Sequence, residues 1–312
     1  MSKTDYWAPA LIPGDSRQGA LQQVWANRTL YVFIFPFAVT MIVFGIVPII
    51  LSIYVAFTES ATAMSKAPTF VGFENFRSVL SDPQFINSLW STVLYTAVSV
   101  LLNVALALGL ALVLVGPSAS RFSTFYKLAL FLPVVTPEVA TFIVWKWMFN
   151  QDFGAVNAAL TSLGLPTFGG TTTNVGSFSI LVVVELWHHV GFYTLVFLAN
   201  LQLLDPSLDE AAQIDGAGKL KRIWLVWIPQ LRPSIAINVV YATIEFLKTF
   251  TAVVVITSGG PNFATNFVSY YAYKKFDLAQ YGEATAMATV LFLVVMAVTL
   301  IAYYFNERRD YR

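Results

Sequence analysis

The chain has 312 residues, of which 57% are hydrophobic and 11% charged, with a formal net charge of +1. A water-facing surface needs far more charge than this, so a soluble globular protein is excluded and several bilayer spans are implied. The near-neutral balance argues against nucleic acid or an acidic partner, and a sequence without Cys has neither a disulfide framework nor a thiolate metal site.

In chain order, Met1 to Arg28 is polar and lacks a small-residue cleavage site after a short apolar core. The first apolar stretch is too long for a signal peptide and is expected to be retained. A helix crossing about 30 Å of hydrocarbon needs about 20 apolar residues. Six stretches qualify: Leu30 to Phe57, Leu89 to Val115, Leu128 to Phe149, Phe178 to Leu204, Ser234 to Thr257 and Ala284 to Phe305. The expected fold is therefore an all-α membrane protein with six transmembrane helices. It divides into residues 1–28, a transmembrane domain over residues 29–306 and a short tail over residues 307–312.

With six spans both termini share one side, which receives Lys3, Arg17, Arg28, Arg121, Lys127, Lys219, Lys221, Arg222, Arg232, Arg308, Arg309 and Arg312. The other side receives Lys66, Arg77, Lys274 and Lys275. Basic residues concentrate in cytoplasmic loops, so twelve against four places the termini and the segment after the fourth span in the cytoplasm.

That segment, Glu210 to Pro233, is the most informative in the chain. Glu210, Ala211 and Ala212 open a short helix with little side-chain bulk, and Asp215, Gly216, Ala217 and Gly218 supply a turn. Lys219, Lys221 and Arg222 lie on a second short helix, which Pro229 and Pro233 are expected to close. Glu210-Ala211-Ala212, Asp215-Gly216-Ala217 and Ile228-Pro229 together resemble the EAA loop of binding-protein-dependent ABC importers. Ile223 stands where that family often has Phe, and Ile228 where Leu usually precedes the Pro. Outside the cytoplasm, Val71, Gly72, Asn75 and Phe76 resemble a V-G-x-x-N-F run of the sugar-permease branch. Ser258-Gly259-Gly260-Pro261 is similar to a sequence common in the same branch, and its Pro should end the fifth span sharply. The Gly- and Thr-rich stretch from Gln151 to Ser177 is expected to hold one short helix, Ala155 to Leu163.

Ionisable residues inside a bilayer are costly and mark functional candidates. On the fourth span Glu185, His188, His189, Phe192 and Tyr193 recur at three- and four-residue spacings and share a face. On the fifth, Asn238, Tyr241, Glu245, Lys248, Thr249 and Ala252 form a similar stripe. Carboxylates and imidazoles suit hydroxyl-rich solutes and aromatic rings suit sugar faces, so two such faces would line a substrate path. Glu245 with Lys248, and Glu185 with a His, are alternatively internal charge pairs. Glu138 and Lys146 on the third span are expected to make structural pairs or reach the interface, and Asn103 an interhelical hydrogen bond. Adjacent histidines on a helix point about 100° apart and cannot easily share a metal, and no phosphate-binding G-x-x-x-x-G-K-[ST] loop is present.

The resemblance implies a type I ABC importer permease, a translocation subunit and not an enzyme, for a carbohydrate or glycerol-phosphate-like solute. It implies a second homologous permease, two ATPase subunits that carry the ATP and Mg, and an extracytoplasmic solute-binding protein, in a bacterial or archaeal cytoplasmic membrane. Glu210 is then expected to pair with a basic ATPase residue, Gly216 to preserve the turn and Asp215 to cap the second short helix. A proton-coupled secondary transporter using Glu185 or Glu245 is the alternative, and an intramembrane hydrolase would be poorly supplied by the two His and Glu185. Neither explains the Glu210 loop.

Overall fold

The computed structural model describes residues 28–59, 69–115 and 123–310. The N-terminal segment, Lys3, Arg17, Lys66, Arg121 and Arg312 of the charge count lie outside the described residues, as do the side chains of Arg28, Arg308 and Arg309. The described residues are helical apart from loops and an isolated antiparallel bridge between Thr58 and Phe70. Four helices are long and apolar enough to cross a membrane, or up to six if each of two bent pairs is one span.

The chain forms two compact units, Met1–Ser52 and Ile53–Arg312. The first carries α1 (Arg28–Met41), a π-helical turn at Ile42–Ile46 and the start of α2 (Val47–Ala56). Here the Val47 N–H reaches back five residues to the Ile42 carbonyl. Pro48 follows directly, and its ring would clash with the carbonyl four residues before it in a regular helix. A widened turn at that point makes room for the ring.

The second unit continues with α3 (Glu74–Ser81), α4 (Pro83–Leu114), α5 (Ser123–Val135), α6 (Glu138–Met148) and α7 (Ala155–Ser162). α8 (Asn174–Leu201) and α9 (Pro206–Ile214) follow, then α10 (Lys219–Arg222), a π turn at Ile223–Trp227 and α11 (Ile228–Gln230). The unit ends with α12 (Arg232–Leu247), a π turn at Val253–Thr257, α13 (Val268–Asp277) and α14 (Tyr281–Asp310). α8 is the central helix: 61% of its apolar window is buried, against 28% for α4 and 22% for Tyr281–Ala302. α4 and α5 pack along α8, and α12 lies across α4 and α14. Tyr95, Phe142, Phe197, Phe246 and Phe267 fill the core between them, with Tyr95 and Phe267 ring centroids 4.6 Å apart.

Three expectations are corrected. The third span is not one helix, because α5 and α6 meet at 96°. Thr136 precedes Pro137 and is thereby pushed out of helical geometry, and its hydroxyl instead donates to the Pro133 carbonyl at 2.6 Å. The fifth span also breaks. α12 ends at Leu247, and the Ser269 hydroxyl donates to the Thr249 carbonyl that the break frees, at 2.5 Å. Third, α4 begins at Pro83, ahead of the expected Leu89, because Asp82 caps it by accepting from the Gln84 N–H at 2.9 Å. α3 and α13 arise between the expected spans.

The loops that follow α2 and precede α13 are built around polar clamps. Gly72 has φ +62, and the Asn75 side-chain amide donates to the Ala56 carbonyl at 2.9 Å and to Thr58 at 2.8 Å. These caps hold the end of α2 while Phe57 packs on Phe73 and Phe76, both at 5.1 Å. The Thr257–Pro261 stretch does end its helix, with Ser258 and Gly259 both at positive φ. Its continuation is tied to α4: Asn266 donates to the Ser88 hydroxyl at 2.9 Å and the Val268 N–H donates to the Thr92 hydroxyl at 3.0 Å. Tyr271 donates to Asp82 at 2.6 Å. Burial and this acceptor hold the Tyr271 phenol above its ordinary pKa.

Candidate functional site

Two groups of residues carry the sequence expectations. The first is an elbow between α8 and α12. α9 begins at Pro206, with Asp205 as its cap accepting from the Ser207 N–H at 2.9 Å. That hydrogen bond holds the Asp205 carboxyl below the usual carboxylate range. Glu210, Ala211 and Ala212 therefore lie in the middle of the helix rather than at its start. Glu210 and Ala211 are exposed, and Ala212 is half-buried.

Gly216 turns the chain with φ +77 and is exposed, and a Cβ there would meet nothing within 4 Å. Its role is conformational, since a side chain would be strained by the backbone angle and not by crowding. Asp215 is corrected. It stands at the C-cap of α9, and Gly218 is the N-cap of α10 with no side-chain cap. Half-buried Ala217 donates its N–H to the Ala212 carbonyl at 2.9 Å, closing the turn against α9.

Pro229 is corrected as well. It does not close the second helix, which runs over Lys219–Gln230 and then bends by 67° into α12. A π turn, with the Ile228 N–H on the Ile223 carbonyl, precedes Pro229 at the same offset as the one before Pro48. Pro233 sits in the first turn of α12, where a missing N–H costs nothing.

Asp209, absent from the sequence expectations, is the polar centre of this elbow. Its carboxylate accepts from Arg222 at 2.7 Å, from the Trp227 indole at 2.8 Å and from Gln213 at 3.0 Å. The signal was available: an Asp beside the small-residue run, an Arg in the next helix, and a Trp whose N–H needs a partner when buried.

The second group lies within the spans. The Glu185 carboxylate and the His189 ring meet at 3.0 Å, with side-chain exposures of 7% and 16%. The His189 ring stands 5.9 Å from Phe246, so the α8 and α12 faces do converge. His188 points elsewhere. It packs on Phe142 at 5.6 Å and faces the Thr136 backbone at the α5–α6 break, without a well-formed hydrogen bond. Glu138 makes no ion pair with a described residue and instead lies within electrostatic range of both histidines, while Lys146 is exposed. Tyr193 is buried and Phe192 is exposed.

The α12 stripe separates into two faces. Asn238 and Thr249 are buried, and the Asn238 amide donates to the Ser234 carbonyl at 2.9 Å. Tyr241, Glu245 and Lys248 are exposed, and Glu245 and Lys248 pair at 3.5 Å with about half of each side chain open. Asn103 is buried on α4, but its amide makes no hydrogen bond with the described residues, contrary to the interhelical bond expected of it.

Gly191 sets the spacing beside this group. A Cβ there would lie 1.7 Å from the Leu130 carbonyl oxygen, so α5 and α8 touch backbone to backbone.

Residues 103–309 match the model of the family described as binding-protein-dependent transport system inner membrane component. The trehalose/maltose transport system permease protein MalF of Thermococcus litoralis is 31% identical over 271 residues, covering 87% of this chain and 91% of that protein. The sn-glycerol-3-phosphate transport system permease protein UgpA of Agrobacterium fabrum is 30% identical over 295 residues, covering 92% and 97%. Among solved structures, a bacterial ABC transporter involved in the import of the acidic polysaccharide alginate contains a chain of the same fold. That match has TM-score 0.81 at 23% identity, over 92% of this chain and 98% of that one.

Proposed function

The chain belongs to the family of binding-protein-dependent transport system inner membrane components, and from that membership we propose that it is one translocation subunit of an ABC importer for a carbohydrate or glycerol-phosphate-like solute. The observation that carries the reading is the elbow between α8 and α12, with Glu210 exposed on a capped helix and Gly216 at positive φ behind it. A membrane chain keeps such a structured, small-residue surface outside the bilayer when another protein docks on it.

In this reading α9 seats in a groove of a separate ATPase, and Glu210 pairs with a basic residue there. ATP and Mg belong to that ATPase, and this chain is not itself an enzyme. Closure of the ATPase dimer moves α9, and the spans that follow swing with it, opening the path to alternate sides. A second, homologous permease completes the path, an external solute-binding protein delivers cargo, and the elbow and both termini face the cytoplasm of a bacterial or archaeal cell. Relatives named for trehalose/maltose and glycerol-3-phosphate support the solute class.

Glu185, His188, His189, Tyr193, Tyr241, Glu245, Lys248 and Thr249 are the proposed path residues. Glu185 and His189 satisfy each other as a pair, so the support comes from the half-open Glu245 and Lys248, because ionic groups at this depth need water or protein and not lipid.

Tagged chain should recover an ATPase from its native membrane, and reconstituted complex should take up solute only with MgATP. Gly216→Val should insert normally and lose the ATPase. Uptake by the chain alone, driven by a proton gradient, would overturn the proposal in favour of the secondary-transporter alternative.

A further inference from the structure

We infer that Asp209 is a positioning residue that latches the ATPase-facing helix α9 to the helix leading into α12, so that the two move as one body. The inference rests on the docking role proposed for α9 and adds how its motion reaches the membrane.

Among the described residues, the side-chain hydrogen bonds from α9 to the following helix all pass through Asp209. The Arg222 guanidinium reaches it from one turn of that helix at 2.7 Å, and the Trp227 indole N–H from more than a turn further on at 2.8 Å. Two anchors at different heights on the second helix fix its angle to α9 as well as its distance. Gln213, one turn along α9, donates to the same carboxylate at 3.0 Å and holds its rotamer.

The remaining link is the turn at residues 215–218, with Gly216 and Gly218, which is compliant by composition. Without Asp209 that turn would keep its main-chain bonds, such as Ala217 N–H to the Ala212 carbonyl, which tie it to α9 but set the angle of the following helix only loosely. Both charged partners are largely covered, with side-chain exposures of 16% for Arg222 and 24% for Asp209. The Nε of Arg222 is buried and has no partner among the described residues, so the Asp209 carboxylate is the counter-charge that holds this guanidinium in place. The latch also closes over a small hollow lined by Val115, Leu201 and Leu204, which joins the ends of α4 and α8 to the elbow.

The absence of Cys permits selective labelling. Spin labels at Leu208→Cys on α9 and Ile237→Cys on α12, both exposed positions, report the distance across the latch in the purified complex in nanodiscs. The parent should give one narrow distance distribution, unchanged between nucleotide-free and MgATP–vanadate states. Asp209→Asn should lose that single narrow distribution. Trp227→Phe, which keeps the ring and removes the N–H, should broaden it in the same direction. The exchange Asp209→Arg with Arg222→Asp re-forms the ion pair but leaves the Trp227 N–H without an acceptor, so it should narrow the distribution from that of Asp209→Asn to about that of Trp227→Phe, which a generally weakened fold would not.

Distributions for Asp209→Asn and Trp227→Phe as narrow as the parent's would overturn the latch. The nucleotide-free distribution decides the latch and recovery of the ATPase decides the docking role, so the two readings fail separately.

Discussion

A single methyl group at Gly191 tests the backbone contact on which the α5–α8 packing depends. A Cβ there would stand 1.7 Å from the Leu130 carbonyl oxygen and 2.6 Å from its carbonyl carbon. Favourable carbon contacts lie at about 3.5–4.0 Å, so the helices must part by on the order of 2 Å. Both obstructing atoms are main chain, so no rotamer change relieves the clash. Overpacking costs about 1–3 kcal/mol, and Ala recovers up to about 1 kcal/mol over Gly in a helix. A net loss near 1 kcal/mol lowers an unfolding midpoint by about 2 °C. Gly109 on α4 is the matched control, since a Cβ there meets nothing within 4 Å. Gly109→Ala should hold or raise the midpoint. The assay is the temperature at which detergent-solubilised chain loses its monodisperse elution peak. A midpoint for Gly191→Ala equal to or above that of Gly109→Ala would refute the packing argument.

His189→Ala and Glu245→Ala should each lower solute uptake by about tenfold, the equivalent of one charge-assisted hydrogen bond, while the ATPase is still recovered with the chain; full uptake by both would remove them from the path. Acidification should loosen the start of α9. The Asp205 carboxyl is held below its ordinary value by the Ser207 N–H, so its cap is fully in place above the usual carboxylate range and is lost as pH falls through the depressed native value. Amide protection at Ser207 should fall with pH in the parent and hold in Asp205→Asn, which caps without titrating; identical pH profiles would contradict this.

The number of apolar stretches, the elbow and the Gly216 turn were legible because each rests on local chemistry: apolar length, small residues, and a Gly where φ must be positive. The two broken spans were not. Thr136–Pro137 and Lys248–Thr249 are short polar interruptions in long apolar stretches, so a hydropathy window averages over them and joins what the backbone separates. The residue before Pro137 was the available sign of the first break. The second needed the Ser269 hydroxyl, 20 residues away, to receive the carbonyl it frees.

Pro229 misled for a related reason. Proline ends a regular helix, yet a π turn just before it lets the helix continue, and the same device precedes Pro48. Asp215 was assigned to the nearer helix start, but Gly218 intervened. The fourth-span spacing brings only part of its expected face together. Glu185 and His189 meet, whereas His188 turns to the α5–α6 break, a partner that no periodicity on α8 announces.

The hydroxyls of Ser88 and Thr92 have a consequence for anyone building chimeras. Each gives its proton back to its own helix, at 2.9 and 2.7 Å, and keeps its oxygen lone pairs for the 266–268 stretch. A 266–268 segment transplanted from a relative would therefore arrive with donors looking for two specific oxygens on a helix nearly 180 positions upstream. Segment and helix make one exchangeable cassette, and swaps that cut between them should misassemble even where the junctions match.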